Sequence, residues 1–160
     1  MRKVKKFKLT SEFIVDISGV KLFRIKALIE FGNVKAGDLG GYIEKEENLS
    51  HMGNAWVSGN AQVSGDARVS GNARVSGDAQ VFGDARVSGD KDYAYAHGFG
   101  SCNRTTTFFR LKDGDVGVRC GCFYGTLAQF RDNVCETHGE TKKAQEYLML
   151  ADLMDFRFKN

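Results

Sequence analysis

Three sets of residues in this 160-residue chain have types and spacings that could do chemistry. The first is histidine: His51, His97 and His138 are the only three, and an imidazole can take up a proton near neutral pH, as a general base must. The second is Cys120-x-Cys122 with Cys135-x-x-His138, three thiolates and an imidazole, the donor set of a tetrahedral zinc site. The first spacing is tight and the intervening segment would have to fold back. Reduced cysteines without metal are therefore expected, with Cys102 outside any site and zinc as the alternative. The third set is Arg24, Arg104, Arg110 and Arg119 with Tyr93, Tyr95, Phe123 and Tyr124. These groups suit capture of a small anion, which needs converging donors and rings but no acid–base pair.

The whole chain limits what can position these groups. Its length fits one compact domain, or a repeat body with an attached element. A composition 42% hydrophobic and 27% charged supports a buried core. No stretch approaches the roughly 18 apolar residues of a membrane span, and the basic start MRKVKKFKL lacks the apolar segment of a secretion signal. A cytoplasmic protein with no membrane partner is expected, and four clustered cysteines agree with a reducing compartment. Basic residues outnumber acidic ones nine to four over 1–38, against five to eight over 39–92 and nine to eight over 93–160. The excess is thus N-terminal and reads as a solubilising tail.

From Ala55 to Val87 the pattern Val-x-Gly-(Asn/Asp)-Ala-x recurs every six residues, with valines at 57, 63, 69, 75, 81 and 87 and alanines at 55, 61, 67, 73, 79 and 85. Ala and Val lie two apart, so both point to one side of a short strand. Gly followed by Asn or Asp turns the corner. Three such sides make a coil of 18 residues, predicting inward ladders Leu39/Val57/Val75, Val63/Val81 and Val69/Val87, with Ala55/Ala73, Ala61/Ala79 and Ala67/Ala85 beside them. Extended backward in sixes, the phase puts Lys45 and His51 in valine slots and Leu49 in an alanine slot. Phe82 stands where the other repeats carry an outward Ser, marking a subunit or cap contact. Outward Arg68 over Arg86, and Arg74 on another side, alternate with serines and corner aspartates, which disfavours duplex nucleic acid as a partner.

This repeat resembles the left-handed parallel β-helix of hexapeptide-repeat proteins. "VKAGDLGGYIEKEENLSHMGNAWVSGNA" and "GCFYGTLAQFRDNVCETHG" are more closely similar to an uncharacterised group of bacterial and phage repeat proteins. The broad resemblance implies left-handed coiling, a trimer, and, in the acyltransferases of that class, coenzyme A bound between subunits with a histidine as base. The closer one implies a role in a phage-infected cell.

Expected flanks are a β-hairpin of Phe13–Ile17 and Lys21–Ala27, Gly-rich turns over 32–43 leading into the coils, and an aromatic segment at 93–99 closing the lower end. A hairpin of Thr105–Leu111 and Val116–Phe123 follows. Thr126 and Gln129 form a capping-box signal for a helix with Leu127, Phe130 and Val134 inward. A second helix, Thr141 to Phe156, would bury Ala144, Tyr147, Leu148, Ala151 and Met154. The expected fold is mainly β: a left-handed parallel β-helix of about three coils (39–92) between an N-terminal hairpin and lead-in segment (1–38) and a C-terminal α+β cap or arm (93–160). The expected function is noncatalytic and self-associating, the capture of a small anionic, nucleotide-like ligand or host partner. The alternatives are a coenzyme A-dependent acyltransferase and a purely structural assembly protein.

Overall fold

The fold is described here from a computed structural model, for residues 5–16, 18–99, 105–121 and 123–159. Parallel rungs form where the hexads predict strands. Strands β1 (Phe7–Val15) and β2 (Lys21–Ala27) make an antiparallel hairpin, and β2 pairs antiparallel with β3 (Leu39–Ile43). Six two-residue strands follow: β4 (Trp56–Val57), β5 (Gln62–Val63), β6 (Arg68–Val69), β7 (Arg74–Val75), β8 (Gln80–Val81) and β9 (Arg86–Val87). They stack in parallel as β3-β5-β8, β4-β7 and β6-β9, joining Val57 to Val75, Val63 to Val81 and Val69 to Val87. All six valines and the six repeat alanines are buried.

The first coil departs from the expected phase. Leu39 is 55% exposed and pairs with Lys26, while Ile43 stacks on Val63 and Leu49 bridges to Val69. Two additional residues enter between Leu49 and Val57, so counting back in sixes lands on His51 and Lys45 instead of the inward Leu49 and Ile43. A 3-10 turn at Glu46–Asn48 puts Asn48 inside, where its Nδ2 donates to the Gly65 and Ala67 carbonyls (3.1 and 2.9 Å). Its Oδ1 accepts from the Glu44 and Lys45 amides (3.1 and 2.9 Å).

The expected solvated basic tail fails at one residue, while Lys5, Lys8 and Lys21 are exposed. Among its basic residues Arg2 and Lys3 lie outside the described part, but Lys6 is 1% exposed and donates to the Ala55 and Gly53 carbonyls (2.6 and 3.4 Å), with its ammonium over the Phe31 ring. Strand β1 accordingly starts at Phe7, well before the expected Phe13, and ends at Val15; Ile17 lies outside the described residues.

At the other end, β10 (Tyr93–His97), β11 (Thr105–Arg110), β12 (Val116–Cys120) and β13 (Phe123–Thr126) form an antiparallel sheet. Helices α1 (Leu127–His138) and α2 (Lys142–Phe158) share a second core with it. The Thr126/Gln129 capping box is present. The predicted stripe of α2 is corrected at one place: Leu150 is buried and Leu148 only partly so, and Phe158 extends the stripe. The expected long second strand of the hairpin is instead β12 and the separate β13. Of the aromatic segment, Tyr93 closes the coil end by donating its hydroxyl to the Arg74 carbonyl and Tyr95 lies against Gly77, whereas His97 and Phe99 are exposed. The last coil gives its free amides to the cap: Gln80 N–H to Thr107 Oγ1 (2.9 Å), Asp84 N–H to the Tyr124 hydroxyl (3.2 Å), and Arg74 and Ser88 N–H to the carboxylates of Asp90 and Asp92 (2.8 and 3.0 Å).

Two expectations follow. Asn48→Ala strands three backbone groups at once, the Lys45 amide and the Gly65 and Ala67 carbonyls, because the Glu44 amide keeps its bond to the Val63 carbonyl; urea denaturation should show a loss of about 3 kcal/mol, and a loss below about 1 kcal/mol would mean that water replaces the side chain. Burial lowers the Lys6 pKa to about 8. The unfolded chain therefore holds that proton more tightly, and burial of the ammonium costs stability below pH 8. The cost is relieved as pH rises from about 8 toward about 10.5, by up to about 3 kcal/mol. Thermal melts between about pH 7.5 and about pH 9.5 should show wild type gaining stability relative to Lys6→Met; parallel pH profiles would contradict this.

Candidate functional site

The last coil, the hairpin turn of the cap and the end of α2 meet around a cleft of about 760 Å³, within the range of small-ligand sites. Local hydrogen bonds build its walls. The β11–β12 turn docks on the coil through an Ala85–Leu111 bridge and a Lys112 N–H bond to the Asp84 carbonyl (2.9 Å). Arg110 ties three walls together: Nε faces Asp92 Oδ1 at 3.4 Å, and its Nη atoms donate to the Gly114 and Phe158 carbonyls (3.3 and 3.1 Å). Arg157 anchors α2 by donating to the Asp90 and Tyr93 carbonyls (3.2 and 3.3 Å).

The lining is strongly basic. Arg86, Lys91, Arg110, Lys112, Arg157 and Lys159 face the cleft, against the single carboxylate of Asp92. That carboxylate is consumed internally. Burial alone would raise its pKa, but the Ser88 amide and hydroxyl (3.0 and 2.9 Å) and Arg110 together hold it below the ordinary carboxylate value. Among the described residues, Lys91 and Lys112 make no side-chain hydrogen bond or ion pair, and both are exposed. Lys159 lies 3.9 Å from Asp155, so the unpaired charge is that of Lys91 and Lys112; clustered cations concentrate positive potential in a concave site, and an anion relieves their mutual repulsion.

A second cavity of about 520 Å³ adjoins the first, sharing Arg86 and Ser88 and adding Arg68, Ser70, Glu46, Glu47 and His51. His51 stacks on Phe7 at 4.2 Å. Its Nδ1 accepts the Lys6 amide (3.1 Å), so Nε2 carries the proton and donates to Glu46 Oε1 (2.8 Å). Both ring nitrogens are engaged, and neither is open to a substrate in this geometry. His97 Nδ1 lies 2.9 Å from Thr105 Oγ1 on the exposed edge of the cap, and His138 leans on Tyr147 at the end of α1.

The structure does not gather the ligand residues expected from sequence into one site. Arg110 lines the cleft. Arg24 is spent on Glu12, the Gly40 carbonyl and the Tyr42 hydroxyl (2.8, 2.9 and 2.5 Å). Arg119 is buried at the junction of cap and hairpin, 3.8 Å from Asp16 and 4.1 Å over the Phe82 ring. Burial lowers its pKa against the opposing pull of Asp16. Phe82 also meets Tyr124 edge-on at 4.9 Å, so this outward aromatic makes a contact with the chain's own cap. Tyr93 and Tyr95 close the coil end, and Phe123 packs on Phe130. Cys120 is buried, accepting from Thr106 Oγ1 (3.3 Å) beside the Tyr147 hydroxyl, and Cys135 is exposed. Arg104, Cys102 and Cys122 lie outside the described residues. No group of three or more His, Cys, Asp or Glu among the described residues is placed to hold a metal, and no described helix is long and apolar enough to cross a membrane.

Sequence reasoning missed Lys91, Lys112, Arg157 and Lys159, which come from three separate elements and share no motif. Arg110 of the cleft was legible as a ligand donor, and Arg68 one coil from Arg86 was legible from the repeat.

A search of the curated proteins finds no match. A family model described as the YdcK beta solenoid repeat matches residues 61–77, 67–81 and 79–90. These segments supply five of the six valines in the parallel rungs, and over them the chain is built of β-solenoid repeats.

Proposed function

We propose that this protein is a noncatalytic, self-associating solenoid that captures a small anionic, nucleotide-like ligand in the basic cleft between its last coil and its cap. In this reading the solenoid is a left-handed β-helix of about three coils over 39–92, closed by the hairpin and the α+β cap. The handedness, the trimer and the phage-infected setting come from the resemblance to hexapeptide-repeat and phage proteins, and the cytoplasmic location from the composition and the cysteines. The observation that carries the proposal is the cleft itself: six cations around one internally bonded carboxylate.

Self-association is supported by α2. Met149, Leu153 and Phe156 fall on one helical stripe and are 71%, 54% and 78% exposed, although the opposite stripe is buried against the sheet.

Calorimetric titration with pyrophosphate should show binding by wild type that weakens with salt, because charge neutralisation drives it. The double variant Lys91→Gln/Lys112→Gln should bind about tenfold or more weakly, a change of about 1.4 kcal/mol or more, with unchanged thermal stability. No binding by wild type, or equal binding by the variant, would overturn the anion reading. Sedimentation velocity should show wild type as an oligomer and Phe156→Glu as a monomer; a monomeric wild type would remove self-association.

A further inference from the structure

We infer that the anion recognised here is a condensed phosphate chain that leaves the cleft and runs up the outer face of the coils to Arg68. This rests on the reading of the cleft as an anion site and extends it along the solenoid. The two cavities are adjacent, with Arg86 and Ser88 in the lining of both. Arg68 and Arg86 are register partners on the parallel strands β6 and β9, so the two arginines stand one rung apart, about 4.8 Å.

Donors along this path remain available, although Arg68 and Arg86 both lie in the field of Asp66. Arg68 makes no side-chain hydrogen bond among the described residues and is exposed. Arg86 spends only Nη1, on the Asp66 and Ala85 carbonyls (2.8 and 2.9 Å), which holds the group in place and leaves Nε and Nη2. With Lys91 and Lys112 below them, these groups form a row of cations. A guanidinium fork grips phosphate oxygens in pairs, and two forks one rung apart can hold successive groups of one chain. The row stops at Glu46 and Glu47, on the far side of Arg68 in the upper cavity, where a further anion would be repelled.

The lining also argues against recognition of a base. Single-stranded nucleic acids and nucleobases are held by stacking on aromatic side chains. No described Phe, Tyr or Trp lines either cavity, and the one aromatic ring present, His51, has a face covered by Phe7. What the surface offers is charge and hydrogen-bond donation in a line, the chemistry of a phosphate chain, whether free in solution or the tail of a nucleotide.

Calorimetry at about 0.15 M salt with pyrophosphate, inorganic tripolyphosphate, long inorganic polyphosphate and ATP tests this. Affinity should rise at least about tenfold from pyrophosphate to long polyphosphate. Arg68→Gln should lose most of that gain and weaken pyrophosphate far less than long polyphosphate, whereas Lys143→Gln, on α2 and outside both cavities, should lose none of it. ATP matching tripolyphosphate would support recognition of the chain alone. Long polyphosphate binding no tighter than pyrophosphate, or a gain insensitive to Arg68→Gln, would overturn the extended path and leave the cleft reading standing. ATP binding more than about tenfold tighter than tripolyphosphate would overturn it in favour of a nucleotide whose base is read. Failure of all four probes would overturn both readings.

Discussion

A stack of parallel coils passes its backbone hydrogen bonds from one rung to the next, so the first and last rungs have groups with no neighbour to receive them. An unpaired buried backbone group costs about as much as a lost hydrogen bond, and much of the remaining structure follows from this. The N-terminal side meets the need with nitrogen donors: Lys6 reaches the Gly53 and Ala55 carbonyls and Asn48 reaches those of Gly65 and Ala67. The C-terminal side meets it with oxygens from Asp90, Asp92, Thr107 and Tyr124. The caps are parts of the hydrogen-bond system, and their residues are fixed by where the coils end.

The candidate cleft is a by-product of that closure. Asp92 turns inward to accept the Ser88 amide, and Arg110 neutralises it while bridging to α2. Once this carboxylate is consumed, Lys91 and Lys112 face the space above it with no ion pair among the described residues, beside Arg86. The positive potential of the cleft thus arises because its acids are used in folding. The regular rungs then set a second property, since Arg68 over Arg86 repeats at the coil spacing and turns a local patch into a row.

Legibility in the sequence followed the same boundary. The valine and alanine ladders from Ala55 to Val87 could be read because every hexad repeats one local solution, and the Thr126/Gln129 cap because its signal is contained in four residues. Leu39 was misplaced because two additional residues around His51 break the period. Lys6 looked like a solvated charge because composition says nothing about a carbonyl waiting at a coil end. Arg119 looked like a ligand donor for the same reason, although it is buried against Asp16 and Phe82. The cleft was least legible: Arg110 was picked out, but Lys91, Lys112, Arg157 and Lys159 converge only through tertiary packing.

The central claim, that the coil-to-cap cleft is where an anion binds, is tested most directly by a ¹⁵N–¹H correlation spectrum recorded during addition of pyrophosphate. The account predicts saturable shifts concentrated at the amides of Ser88, Lys91, Lys112 and Gly114, with those of the hairpin β1–β2 unmoved. Shifts centred on the hairpin, or no saturable shifts at all, would contradict it.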